Sequence, residues 1–160
     1  MEPLANLMVR RATSADAAAL KAILYDTFDS TWRPNITAAA AQAVLNEDRP
    51  GSYVGQHGLD FWVAERGGEV IGLAHWRDDF LHALHVRSSH ARTGVGTLLL
   101  ARAEAEITGA GFAAIRLETD TFNTASRAFY AVRGYSEAGR YPDEEWNSGL
   151  TTILLVKALG

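Results

Sequence analysis

The segment Gly94-Val95-Gly96 constrains the fold of this chain more than any other feature of the sequence. It lies between a short apolar strand that ends at Val86 and a long helix that begins near Val95. The first turn of a helix leaves backbone N–H groups without partners and carries partial positive charge. Glycine allows a positive φ and lets a ligand approach the backbone closely. The junction therefore predicts either a phosphate site flanked by Arg87 and Arg92 or a tight turn that binds nothing.

Two other phosphate-binding signatures do not fit this junction. The dinucleotide fingerprint G-x-G-x-x-G requires a third glycine at the position where Leu99 stands. A P-loop requires the sequence Gly-Lys-Ser or Gly-Lys-Thr, which is missing from this segment. The sequence therefore argues against an enzyme that uses NAD or ATP.

Apolar periodicity, capping residues and glycine turns predict an α/β fold. Strands are predicted over residues 7–11, 61–65, 69–77, 80–86, 113–121, 136–141 and 151–158, with a hairpin at Gly67-Gly68. Helices are predicted after Thr13 and Thr37, over 95–108 and from about 121 to 133, with a break over 29–35 and a loop over 48–59. The strands joined by helix 95–108 are expected to be parallel neighbours. The expected fold is a single domain of 160 residues, with a mixed sheet of about seven strands and helices on both faces.

Composition excludes several classes of function. The 15 basic and 19 acidic side chains give a net charge of −4, so no basic field favours nucleic acid. The absence of cysteine excludes disulfides, thiolate metal sites and cysteine nucleophiles. Residues 1–8 do not resemble a signal peptide, and no stretch has the roughly 20 apolar residues of a membrane span. A cytoplasmic protein that binds neither membrane nor nucleic acid is expected.

Two motifs give the chain a family resemblance. Residues 91–96, Ala-Arg-Thr-Gly-Val-Gly, match the pattern Gln/Arg-x-x-Gly-x-Gly/Ala at both glycines but not at Ala91. A second pattern, Asn-x-x-Ala/Ser-x-x-Phe/Leu-Tyr followed by Gly and an aromatic residue, is matched by Asn123, Ser126, Phe129, Tyr130, Gly134 and Tyr135. With this order of strands and helices, the chain resembles the GNAT superfamily of N-acetyltransferases. These enzymes transfer an acyl group from acyl-coenzyme A to an amine.

The resemblance implies a binding mode for acetyl-CoA as co-substrate, with no metal. The sheet would splay between its two central parallel strands, and the pantetheine arm would pair with the backbone of Leu84, His85 and Val86. The pyrophosphate would bind the backbone of Arg92, Thr93, Gly94, Val95, Gly96 and Thr97. Asn123 would hydrogen-bond the pantetheine or the acceptor side of the cleft, and Ser126 is a further candidate for cofactor binding. Many relatives pair as dimers, so the resemblance leaves a homodimer open.

The resemblance also implies catalytic roles. Tyr130 would lie near the thioester sulfur and protonate the departing thiolate, since a phenol has a pKa of about 10. Some relatives carry a glutamate base at the position of Phe80, which cannot act as one. Others carry it at the position of Glu118, which is therefore the first candidate. His82, His85 and deprotonation relayed by water remain alternatives.

The acceptor side is expected to vary most within such a family. Candidate substrate-binding residues are Trp32, His75, Trp76 and Tyr141, and Arg33, Glu144, Glu145 and Trp146 fall in the same regions. Aromatic side chains with carboxylates suit a cationic amine, although each of these residues also fits a core or solvated position. The histidines at 75, 82, 85 and 90 have no recognised metal-ligand spacing, so no metal is expected.

Two functions from different classes follow. The first is an acetyltransferase that acts on a primary amine of a small molecule or peptide. The second is an acyl-CoA-binding sensor without catalytic activity on the same fold. Asn123 and Tyr130 favour the enzyme, whereas Ala91 and Phe80 keep the sensor open.

Overall fold

The structure is a computed structural model that describes residues 6–143 and 148–160. The strands are β1 (Leu7–Arg11), β2 (Trp62–Arg66), β3 (Glu69–Arg77), β4 (Phe80–Val86), β5 (Ala114–Asp120), β6 (Ser136–Pro142) and β7 (Thr151–Ala158). The helices are α1 (Ala17–Thr27), α2 (Ala38–Glu47), α3 (Arg49–His57), α4 (Val95–Gly109) and α5 (Thr124–Ala131). Within the described ranges, no helix has the length and apolar character needed to cross a membrane.

The strands form one sheet of seven in the order β1-β2-β3-β4-β5-β7-β6. The central pair, β4 and β5, is parallel, while the other neighbouring pairs are antiparallel. β4 and β5 pair only at Phe80–Arg116 and Leu81–Leu117, whereas β5 pairs with β7 from Ala114 to Asp120. The two central strands therefore diverge after Leu81, which confirms the expected mixed and splayed sheet.

A β-bulge at His82 changes which face of the sheet β4 presents. Trp76 of β3 pairs with Leu81, and the next residue, His75, pairs with Ala83, so His82 is an extra residue in β4. Leu81 consequently packs into the core on the α4 face, whereas Ala83 packs into the core on the α1 face.

Helices cover both faces of the sheet, as the sequence predicts. The apolar stripe of α4, with Leu99, Ala103 and Ile107, packs on one face against Ile71 and Ile115. On the opposite face, the core contains Leu20 and Ile23 of α1, Val54 of α3, and Phe61, Val63 and Leu73. Burying both faces of the central strands makes the sheet the rigid support for its connecting loops.

The predicted loop over residues 48–59 is wrong, because most of it forms α3. Asp48 adopts φ 46° at the end of α2, and its side chain then accepts a hydrogen bond from Gly51 N at the start of α3. Pro50 suits the first turn of a helix, and a side chain at Gly51 would collide with the Asp48 carboxylate.

The break predicted over residues 29–35 differs from the structure, because α1 ends just before it but the chain stays helical. α1 continues into a π-helical turn, Phe28–Trp32, and then a 3₁₀ turn, Arg33–Asn35. This extension carries Trp32 towards the opening between β4 and β5, where its indole donates a hydrogen bond to Asp120 of β5.

Candidate active site

The loop between β4 and α4 is fixed by α1 and by its own backbone. Asp26 of α1 accepts hydrogen bonds from Ser88 N at 2.7 Å and from Ser88 Oγ at 2.8 Å. Arg92 has φ 62° and Gly94 has φ 92°, a conformation that is costly for residues with a Cβ. The loop thereby delivers the chain to the first turn of α4 in one defined direction.

The first turn of α4 presents free backbone donors, as the sequence predicts. The first helical hydrogen bond runs from Leu98 N to Gly94 O at 3.1 Å, so the N–H groups of residues 95–97 have no acceptor within the helix. Gly96 has a different role from Gly94. A Cβ there would lie 3.5 Å from Phe129 Cζ, an ordinary contact with α5.

Arg133 adds a positive charge at this turn that the sequence analysis did not identify. Its guanidinium donates to Thr97 Oγ1 and to Phe129 O, each at 2.7 Å, and lies 3.8 Å from the centroid of the Phe129 ring. Thr97 belongs to the first turn of α4, so Arg133 stands beside the free amides. In the sequence, the sign of a functional role was its position directly before Gly134 of the second motif.

The second half of β4 has a free backbone edge. Leu84, His85 and Val86 pair with β3, but none of them pairs with β5. Their outward-facing backbone groups lie in the opening between the diverging strands. An extended ligand can bind such an edge as an added strand, and the edge leads directly to the loop before α4.

Tyr130 lies on α5 and is 7% exposed. Its ring makes edge contacts with Phe129, at 5.0 Å between centroids, and with Tyr135, at 5.3 Å. Burial raises the pKa of Tyr130 well above its usual value, so the phenol stays protonated at neutral pH. Within the described ranges, no group hydrogen-bonds its hydroxyl.

Asn123 and Ser126 connect α5 to the sheet. The Asn123 side chain caps α5 by accepting a hydrogen bond from Ser126 N at 3.1 Å. The Ser126 hydroxyl lies 2.8 Å from Thr119 Oγ1 of β5. These bonds place α5, and therefore Tyr130, against the end of β5. Direct contacts of Asn123 and Ser126 with a cofactor stay a prediction.

Glu118 borders a cavity of about 430 Å³ beside the paired ends of β4 and β5. The cavity is lined by Arg77, Asp78, Asp79, Phe80, His82, Arg116 and Glu118. Glu118 is exposed and accepts a hydrogen bond from the Tyr141 hydroxyl of β6. Burial and this bond raise the pKa of Tyr141 to about 12. The structure thus brings three predicted residues together: His82 and Glu118 line this cavity, and Tyr141 bonds to Glu118.

Trp32 bridges the diverging strands. Its indole Nε1 donates to Asp120 Oδ2 of β5 at 2.9 Å, and its ring lies 5.7 Å from the ring of His85 on β4. Desolvation raises the pKa of Asp120 and lowers the pKa of His85 to about 4. His85 is therefore neutral at pH 7 and, as a base, is too weak to hold a proton from an amine.

The other candidates for the acceptor side lie apart from this opening. Trp76 stacks on Trp62, at 5.6 Å between ring centroids, and packs against the core on the α4 face. His75 is buried on the α1 face, where its Nδ1 bonds to the Tyr53 hydroxyl. Arg33 forms an exposed ion pair with Asp29. Glu144, Glu145 and Trp146 lie outside the described residues.

Known proteins resemble this chain in sequence and in fold. Blasticidin-S acetyltransferase of Streptomyces morookaense is 33% identical over 95 residues, which cover 59% of this chain and 68% of that protein. The chain spans half or less of the length of the mouse and rat N-acetyltransferases of family 8 that it matches.

Solved structures of low sequence identity share the fold. The solution structure of YjaB from Escherichia coli has a TM-score of 0.80 at 19% identity, covering 96% of this chain and 99% of that chain. PaiA N-acetyltransferase from Thermoplasma acidophilum, solved in complex with coenzyme A, has a TM-score of 0.73 at 17% identity, covering 95% and 98%. The model of the acetyltransferase (GNAT) family matches residues 21–135. The chain belongs to the GNAT acetyltransferase family.

Proposed function

We propose that this protein transfers the acetyl group of acetyl-CoA directly to a primary amine of a small molecule or peptide, within a ternary complex. The observation that carries the proposal is the opening between β4 and β5, whose free edge leads to the amides of α4. The thioester arm fits the free edge of β4, and the diphosphate fits the amides of α4. Family membership and a relative solved with coenzyme A support the same cofactor.

The cofactor is held mainly by backbone groups. The pantetheine lies along Leu84, His85 and Val86 as an added strand, and the diphosphate accepts hydrogen bonds from amides at the start of α4. Gly94 sets the direction of those amides, and the neighbouring guanidinium of Arg133 adds positive charge. The departure at Ala91 removes a side chain but no backbone donor, so this arrangement does not depend on residue 91.

The chemistry follows from the groups around the opening. The amine nitrogen attacks the thioester carbonyl carbon, and the C–S bond of the resulting tetrahedral intermediate then breaks. A backbone N–H of splayed β4, at Leu84 or a neighbour, stabilises the oxyanion. The protonated hydroxyl of Tyr130 donates its proton to the leaving thiolate. Holding both substrates in the opening supplies much of the rate enhancement.

Glu118 is the proposed base that takes the proton of the amine. It is exposed to the cavity, lies near His82 and is held by the Tyr141 hydroxyl. We expect Glu118→Gln to lower kcat/KM by about 100-fold, as loss of a general base typically does. Glu106→Gln is the matched control, since Glu106 lies on α4 and faces Arg102. A change of less than about threefold in Glu118→Gln would assign proton removal to water instead.

A thiol-release screen tests the proposed function. Purified protein and acetyl-CoA are combined with polyamines, amino acids, aminoglycosides, peptides with free N-termini and blasticidin S. Blasticidin S is included because the name of one relative specifies it. We expect release of CoA above background with at least one amine. Tight binding of acetyl-CoA without release across the panel would favour the non-catalytic sensor, and absence of binding would refute both functions.

A further inference from the structure

We propose that His57, Asp60 and His75 form a binding site for a transition-metal ion such as zinc. Each of the three side chains offers one ligand atom, and these atoms lie within 4.8 Å of one another. His57 ends α3, Asp60 ends the following 3₁₀ turn, and His75 lies on β3. The site is separate from the proposed cofactor site, and its existence does not depend on the proposed transferase activity.

His75 is already oriented as a metal ligand would be. It is 5% exposed, its Nδ1 bonds to the Tyr53 hydroxyl, and its ring stacks on Phe61 at 4.9 Å between centroids. Histidine ligands almost always use one ring nitrogen for the metal and hydrogen-bond through the other, which fixes the ring. The bond to Tyr53 would leave Nε2 for the metal.

The other two ligands lie on the solvent side of the cluster. His57 is half-buried and Asp60 is exposed, so an ion can enter without opening the core. Tetrahedral coordination with bonds of about 2.0–2.2 Å puts ligand atoms roughly 3.3 Å apart. The ligand atoms lie within 4.8 Å of one another, so binding would require His57 and Asp60 to move closer to buried His75.

The donor set selects the class of metal. Two imidazole nitrogens and one carboxylate oxygen suit zinc and its first-row neighbours, whereas magnesium and calcium prefer oxygen ligands alone. Three protein ligands leave a fourth position for water. A bound ion would tie the end of α3 to β3. It would also fix the His75 ring, which stacks on His82 at the cavity wall, 5.3 Å away between centroids.

Titration calorimetry with zinc chloride tests the site on tag-free protein of these 160 residues. We expect one zinc ion per chain and a zinc-dependent rise in Tm. Cobalt, as a spectroscopic substitute, should give visible absorption typical of nitrogen and oxygen ligands. Absence of saturable zinc uptake by the folded protein would overturn the proposal.

Substitutions locate the site. Asp60→Asn and His57→Ala should each weaken zinc binding at least tenfold. Asp60 is exposed, so the metal-free Tm of Asp60→Asn should stay near that of wild type. His57 stacks on His75, so His57→Ala is compared by the zinc affinity of the folded protein. Tyr53→Phe should weaken binding by roughly tenfold, as loss of a partner to a metal ligand does. His90→Ala, a histidine outside the cluster, should keep wild-type affinity. Undiminished uptake in both Asp60→Asn and His57→Ala, or loss of uptake in His90→Ala, would refute the assignment.

Discussion

The two sides of the opening between β4 and β5 are built in different ways. The side that faces α4 consists mainly of backbone groups from one stretch of chain, from Leu84 to Thr97. The proposed acceptor side is made of side chains from separate elements, such as Trp32 after α1, Glu118 on β5 and Tyr141 on β6. Its bond between Trp32 and Asp120 joins residues that are 88 positions apart.

This difference separates the common from the variable part of the reaction. A diphosphate can be held by amides whatever the local side chains are, so we expect the proposed cofactor side to tolerate Ala91. Recognition of an amine depends on side chains, and each element can change its own without altering the sheet. We therefore expect substitutions on the two sides to affect different measurements.

The largest effect is expected from Tyr130→Phe, which removes the proposed proton donor. Loss of the phenolic proton should lower kcat by about 100-fold and leave CoA affinity nearly unchanged, because Phe keeps the buried ring. Single-turnover thiol release and calorimetry with CoA measure the two quantities. Tyr135→Phe is the matched control, since that phenol bonds to Glu104 instead. Unchanged turnover in Tyr130→Phe would remove this residue from the mechanism.

The next effect concerns pH and the side chain of His85, which faces Trp32. Its pKa is about 4 when folded and about 6.5 when unfolded, so folding disfavours its protonated form. The stability it contributes is complete above pH 6.5 and is lost as the pH falls towards 4. Between pH 7.5 and 5, we expect the free energy of unfolding to fall by about 2 kcal/mol less in His85→Gln than in wild type. Urea unfolding at both pH values measures this, and equal losses would contradict it.

On the cofactor side, Gly94→Ala should weaken CoA binding by about tenfold. Its φ of 92° costs a residue with a Cβ roughly 1–2 kcal/mol, and relief of that strain turns the first amides of α4. Gly96→Ala is the stability control, because its Cβ meets only an ordinary contact with Phe129. Calorimetry with CoA and urea unfolding check both variants. Wild-type CoA affinity in Gly94→Ala would show that this conformation does not orient the ligand.

The smallest effect is expected from Trp32→Phe. Loss of the indole N–H frees Asp120 and should raise KM for the amine by about threefold, with CoA affinity unchanged. Steady-state kinetics with the best amine of the screen measure the change. Trp76→Phe sharpens the comparison, because that ring packs on the α4 face. An equal rise in KM would place Trp76 in the acceptor site, and a rise in Trp76→Phe alone would contradict the assignment of Trp32.

The sequence predicts those structural features that are determined within a short stretch of chain. The junction at Gly94, the hairpin at Gly67-Gly68 and the parallel pair joined by α4 follow from local turn chemistry or from connection rules, and the structure confirms them. α3 was missed because Asp48 both ends α2 and caps α3, so two helices meet without a visible loop.

The contacts between distant elements could not be predicted from turn chemistry or connection rules. The pairing of Tyr141 with Glu118 and the approach of Arg133 to Thr97 depend on how distant elements pack. Periodicity in a single sequence does not report those distances. For the same reason, the spacing of the histidines gave no hint that α3 brings His57 to His75.

The bulge at His82 has a consequence for how β4 can change. Because His82 is an extra residue, Leu84 and Val86 pack against the core beside α4 while His85 turns to the Trp32 side. Removing one residue here would restore strict alternation and exchange those faces, putting an imidazole in the apolar layer and a leucine in the opening. Strand β4 should therefore tolerate no deletion at position 82, since the register of every later residue in the strand depends on the extra one.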